Sequence, residues 1–195
     1  MTKILEANGK FKAILFDMGG VIIRYKNPEI IQSLTKKAQA QTDFKKVLAD
    51  YEIGISCVEE INHLFDHFFR LKEAESYEEA ILEEFMGEHD EHIAKAIAIL
   101  KQKGYKIGLL TNNGYWSKEK KNTTIIRNTS DFDLVIESCR VGLRKPDPKF
   151  FKLAAEKLDL ECHESAVGMT PIQVVYGDGL SAVKRLESLL AVNLV

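Results

Sequence analysis

An apolar run that ends in an acid and two glycines constrains this 195-residue chain more than any other feature. Residues 11–23 read Phe-Lys-Ala-Ile-Leu-Phe-Asp-Met-Gly-Gly-Val-Ile-Ile. Residues 13–16 have the length and character of a buried strand, and Asp17 followed by Gly19 and Gly20 turns the chain sharply at that strand's carboxyl end. Open α/β sheets place their chemistry at that edge. Taken alone, Asp17 reads first as a turn or helix-capping acid; two later stretches change that reading.

Size and charge narrow the function classes. A chain of this length makes about one large domain, or a core with a small appendage, and buries roughly 70% of its unfolded surface. Lys and Arg number 27 against 29 Asp and Glu, for a net charge of −2, so no global field draws the chain to nucleic acid or to an anionic membrane. Small ligands or protein partners are the expectation. No apolar run approaches the ~20 residues of a membrane helix. Three cysteines, Cys57, Cys139 and Cys162, without a signal-peptide pattern point to a reducing compartment. Residues 1–10 carry lysines, no arginine, and Glu6, which argues against a mitochondrial presequence; a cytoplasmic location is the expectation. Oligomeric state leaves no mark on the sequence.

From about Pro28 to Met86 the spacing is helical with few strand signals. Phe44, Val47 and Leu48 mark a short helix that ends near Gly54. Val58, Ile61, Leu64, Phe65, Phe68 and Phe69 make one apolar face at intervals of three and four. Ser76 and Glu79 stand in capping-box spacing ahead of Ile81, Leu82 and Phe85. A helix over residues 92–103 turns Ile93, Ala96, Ile97 and Leu100 inward and stops at Gly104. Residues 105–110 then read as a second buried strand, ending in Thr111-Asn112-Asn113-Gly114. The polar segment 115–130, with Lys118, Lys120 and Lys121, reads as a solvated face. Residues 133–136 form a third strand. In Gly142-Leu143-Arg144-Lys145-Pro146-Asp147-Pro148, Asp147 is an N-cap and Pro148 the first helical residue. Residues 172–176 read as a further strand and Gly177-Asp178-Gly179 as a turn into a last helix.

Asp17, Thr111 with Asn112, and Lys145 therefore fall on the carboxyl edge of one parallel sheet. This combination closely resembles the haloacid dehalogenase superfamily of phosphatases and related hydrolases. The Gly-Leu-Arg-Lys-Pro-Asp-Pro stretch is its most specific part. Asp17-Met18-Gly19-Gly20-Val21, the Tyr51-Glu52-x-Gly54-Ile55-Ser56 turn and the Arg144-Lys145 pair are most similar to one branch. That branch includes the amino-terminal phosphatase domain of soluble epoxide hydrolases and the domain fused to some acyl-CoA dehydrogenases. The resemblance implies an α/β fold: a Rossmann-like three-layer core from residues 1–24 and 92–195, with a small helical cap, residues 25–91, inserted after the first strand.

The residue types suit phosphoryl transfer on their own terms. A carboxylate such as Asp17 displaces at phosphorus to give an aspartyl phosphate, which divides one hydrolysis into two steps. Thr111, the backbone around Asn112 and the Lys145 cation stabilise charge on the phosphoryl oxygens. Lys145 also keeps Asp17 ionised by proximity. The expected function is hydrolysis of a small phosphorylated metabolite. The alternatives are a catalytically inactive phosphate- or partner-binding module and, third, a haloacid dehalogenase.

Two positions depart from the resemblance. Most phosphatases of this superfamily write Asp-x-Asp at the first motif, the second acid protonating the leaving oxygen, and here that position is Gly19. Family members also carry an acidic pair about 25 residues beyond the motif lysine, holding a hard metal ion; here Thr170 and Pro171 stand there. Residues 164–167 resemble the start of that acidic strand, and residues 168–174 the strand after the next helix, so the sequence reads as if a strand end, the pair and one helix were removed. The Mg²⁺ ligands that the resemblance implies are Asp17 and the Gly19 carbonyl. Asp178 is a further candidate, with N-cap of the last helix as its other reading. His63 and His67, four apart, and the thiols of Cys139 and Cys162, the latter beside His163, read as ordinary surface and packing groups.

Overall fold

The computed structural model describes residues 2–7, 10–65, 86–124, 128–160 and 169–195. Its strands are β1 (Thr2–Ala7), β2 (Lys10–Phe16), β3 (Ile23–Tyr25), β4 (Met86–His89), β5 (Lys106–Thr111), β6 (Leu134–Glu137) and β7 (Met169–Ile172). Its helices are α1 (Pro28–Ala40), α2 (Thr42–Glu52), α3 (Val58–Phe65), α4 (Glu91–Gln102), α5 (Ser138–Val141), α6 (Pro148–Lys157) and α7 (Gly179–Leu190). Helix readings at residues 76–85, the apolar positions Phe68 and Phe69, and His67, Cys162 and His163 lie outside the described residues.

The main sheet has the order β6-β5-β2-β1-β7. β2 pairs in parallel with β5, from Ala13 opposite Lys106 to Phe16 opposite Leu109, and β5 pairs in parallel with β6. β2 is buried on both faces, as the apolar run implies. Ile14 and Phe16 point to one side, with Ile107 and Leu109 and the inner faces of α4 and α7 (Ile93, Ala96, Ile97, Leu100, Val183, Leu186). Ala13 and Leu15 point to the other, with Leu110, Ile136 and the α6 residues Phe150, Phe151 and Ala154. Alternation along a pleated strand thus feeds two cores and makes three layers. This is an α/β fold with a predominantly parallel sheet.

One member of the sheet has no counterpart in the sequence reading. β1 runs antiparallel to β2, Ile4 opposite Ile14, and antiparallel on its other side to β7, Ile4 opposite Thr170. The sheet is therefore mixed, and the edge of β2 away from β5 is filled by the amino-terminal segment. The reading of residues 172–176 as a strand is corrected in the same region. β7 ends at Ile172, and the residues after it form a turn in which Val175 and Tyr176 are exposed.

A two-stranded ribbon also went unread: β3 leaves the core and β4 returns, with Ile23 opposite His89 and Tyr25 opposite Met86. Between them α1, α2 and α3 pack around Phe44 and Ile61, with Leu34, Val47, Leu48 and Tyr51 alongside. Helix ends follow their local chemistry. Asp90 caps α4, accepting from the His92 and Ile93 amides at 3.1 Å each, and its second oxygen binds Arg24. Asp147 caps α6 through the Lys149 amide, with Pro148 first in the helix. Gly104, at φ 84°, ends α4 in the left-handed conformation that glycine tolerates. Among the described residues no helix is long and apolar enough to cross a membrane.

Candidate active site

Parallel pairing brings the carboxyl ends of β2 and β5 to one edge, and with them Asp17, the residue after β2, and Thr111, the last residue of β5. Asp17 follows β2 directly; its side chain keeps 25% of its exposure and that of Lys145 keeps 15%. The Lys145 ammonium is ion-paired with Asp17 Oδ1 and donates to the Leu110 carbonyl at 2.8 Å. The Met18 amide donates to the same Asp17 oxygen at 2.8 Å. A carboxylate held by a cation and an amide in a partly closed site is fixed in direction.

The Asn112 side chain makes three hydrogen bonds within the protein. Its Oδ1 accepts from the Lys145 amide at 2.8 Å, and its Nδ2 donates to the Lys145 carbonyl and to Glu52 Oε2, each at 3.1 Å. The side chain thus clamps the lysine's backbone and reaches the helical insert. Thr111 is buried and lines the cavity with Asp17, Gly19 and Lys145. The cavity measures about 520 Å³, and α1 and α2 close its far side with Ile31, Leu34, Ala38 and Leu48.

Sequence reasoning left three contributors without a role. Glu52, at the end of α2, has its Oε2 2.6 Å from Arg144 Nε, an ion pair in which the N–H is not aimed at the oxygen. Burial pushes the Glu52 carboxyl above the usual carboxylate range, while Arg144, Lys145 and the Asn112 amide pull it back. Asn113 ties the two strand-end loops together: its Nδ2 donates to Glu137 Oε1 at 2.8 Å, and its backbone exchanges hydrogen bonds with the Ser138 hydroxyl. Tyr25, at the end of β3, puts its hydroxyl against Gly19; a Cβ at that position would lie 2.8 Å from the Tyr25 Cζ and closer still to the oxygen. Burial and then the charge of Asp17 push this phenol above its ordinary value, so it stays protonated. A glycine at 19 and an aromatic at 25 were visible in the sequence, but their contact is made by the turn between them, in which the Ile22 and Ile23 amides both donate to the Met18 carbonyl.

The remaining candidates stand apart. Asp178 caps α7, accepting from the Ser181 amide at 3.0 Å, and is not among the residues that line the cavity. His63 is exposed on α3. Cys57 and Cys139 are buried free thiols, and burial raises Cys139 to about 11, far from a reactive thiolate. Lys120 donates to the Gly54 carbonyl at 2.8 Å. Among the described residues no three His, Cys, Asp or Glu side chains converge as metal ligands. Near Asp17, a hard cation would find that carboxylate already held by Lys145, and the one other acid among the described residues lining the cavity, Glu52, engaged by Arg144 and Asn112. These donors do not fit a resident Mg²⁺ ion.

An ion-paired carboxylate at the carboxyl edge of an α/β sheet, opening on a cavity, defines a protein of hydrolase type. The chain belongs to the haloacid dehalogenase-like hydrolase family, whose model matches residues 11–167. It is similar to acyl-CoA dehydrogenase family member 10 of Mus musculus, with 26% identity over 92% of this chain and 19% of that protein. It is also similar to bifunctional epoxide hydrolase 2 of Sus scrofa, with 31% identity over 52% of this chain and 21% of that protein. The chain thus spans about a fifth of the length of these relatives. Among solved structures, a HAD family enzyme of Bacteroides thetaiotaomicron in its magnesium complex shares the fold, with a TM-score of 0.51 and 22% identity over 76% of this chain and 78% of that one.

Proposed function

We propose that the chain is a phosphoric monoester hydrolase that works through an aspartyl phosphate on Asp17. The observation that carries this reading is the Lys145 ammonium set on the Asp17 carboxylate, both lining the cavity. Attack by a carboxylate oxygen of Asp17 forms the phosphorus–oxygen bond, and the ester oxygen departs. Lys145 and the Thr111 hydroxyl meet the phosphoryl oxygens, where charge is greatest in flight. Water then cleaves the mixed anhydride, releasing inorganic phosphate and restoring Asp17. The substrate is a small phosphorylated metabolite whose organic part faces Ile31, Leu34 and Leu48. The helical insert, residues 25–91, acts as the cap that excludes water from the core formed by residues 1–24 and 92–195.

The relative in its magnesium complex suggests Mg²⁺ for the family, but the described donors argue against a resident ion here, and no step above uses one. The missing acids favour a second reading, a phosphate-binding module that no longer turns over. Release of inorganic phosphate from 4-nitrophenyl phosphate, with and without added Mg²⁺, separates the two: the hydrolase reading expects turnover in both arms, and the binding module expects none in either.

A further inference from the structure

A departing alkoxide needs a proton, and Gly19 has no side chain to bring one. The hydrogen bonds of the donors lining the cavity sort them by task. Lys145 is held on Asp17 and the Leu110 carbonyl. Glu52 faces Arg144 and the Asn112 amide. The Tyr51 hydroxyl meets Thr124 Oγ1 at 3.3 Å, away from the nucleophile. Tyr25 differs in position: its hydroxyl lies against the backbone two residues beyond Asp17, in the space that any side chain at 19 would enter. The ring is braced on its other face by Tyr176, stacked at 6.1 Å and 6°, whose hydroxyl donates to the Tyr25 carbonyl. Pairing of Tyr25 with Met86 in the β3–β4 ribbon holds its backbone as well. A braced phenol occupies the space that a side chain at position 19 would take, and it lines the cavity.

We propose that Tyr25 is the catalytic proton donor, its phenol protonating the leaving oxygen in place of an acid at position 19. The inference rests on the phosphatase reading. In the first step Asp17 bonds to phosphorus, the ester P–O bond breaks, and the phenol proton passes to the departing oxygen, giving the free alcohol and a phenolate. In the second step the phenolate takes a proton from the water that attacks the aspartyl phosphate, so phosphate leaves and both side chains are restored.

The test compares an ester with a good leaving group, 4-nitrophenyl phosphate, with one that departs only when protonated, n-butyl phosphate, in the full chain and in Tyr25→Phe. Loss of the phenol should lower n-butyl phosphate turnover by about 10²-fold or more and 4-nitrophenyl phosphate turnover by less than about tenfold. Unchanged melting of Tyr25→Phe excludes a folding defect, and Gly19→Asp in a Tyr25→Ala background should recover n-butyl phosphate turnover by giving the carboxyl the vacated space. Equal losses on the two esters, no loss on either, or an unaltered chain that turns over only the aryl ester would overturn the role of Tyr25 and leave the phosphatase reading standing. No turnover of either ester by the unaltered chain would overturn both.

Discussion

Asn112 grips the backbone of Lys145 at both polar atoms, accepting from its amide at 2.8 Å and donating to its carbonyl at 3.1 Å. The two residues come from different strand-end loops, so the lysine is aimed by a side chain 33 positions away in sequence. The ammonium reaches Asp17 from a backbone that cannot slide.

Asn112→Ala should therefore harm both stability and activity. Loss of three hydrogen bonds, two to the Lys145 backbone and one to Glu52, lowers stability by about 2–5 kcal/mol, and a lysine displaced by a fraction of an ångström loses its grip on the transition state. Turnover of 4-nitrophenyl phosphate should fall by about 10²-fold, since misplacement of that order has such effects. Thermal melting and steady-state kinetics on the same preparation check both halves.

Glu52 offers a test with a definite sign. Burial is its largest influence and raises its pKa, outweighing Arg144, Lys145 and Asn112. An acid with a higher pKa folded than unfolded contributes its full stability below the unfolded value and loses it as pH rises through the folded one. Glu52→Gln should match the parent's melting temperature near the ordinary carboxylate range of about pH 4 and gain on it as pH rises toward 7. A variant that loses ground over that window would show that the pairing with Arg144 outweighs burial.

Gly19→Ala should push the new methyl into the braced Tyr25 ring. Overpacking of this kind lowers stability by about 1–3 kcal/mol. In a Tyr25→Ala background the same change should be nearly neutral. Denaturant melts of the four proteins measure the coupling, and additivity within about 0.5 kcal/mol would contradict the contact.

How much of this was legible depended on range. The apolar run at 13–16, the acid after it and the Asp147-Pro148 helix start are local signals, and each led to the element it promised. Alignment of Asp17 with Lys145 also followed, because a parallel sheet with short strand-end loops leaves one edge for both. β1 was not legible: residues 2–7 carry no clear alternation, and they are a strand because β2 and β7 offer backbone partners on either side. β3 and β4 are three and four residues long and stabilise each other, which no window of sequence shows. The side-chain contacts of Asn112 were not legible for a related reason. Its motif marks a phosphate cradle, but its amide and oxygen are engaged by Lys145 and Glu52, residues that only the fold brings near.

The central claim is that Asp17 takes the phosphoryl group. The direct measurement is the mass of the peptide containing Asp17 after the chain is mixed with 4-nitrophenyl phosphate and quenched in acid within the first turnovers. The expected result is one added phosphoryl group on that peptide, absent in Asp17→Asn together with phosphate release. Undiminished phosphate release by Asp17→Asn, or a phosphoryl group found on another residue, would contradict the account.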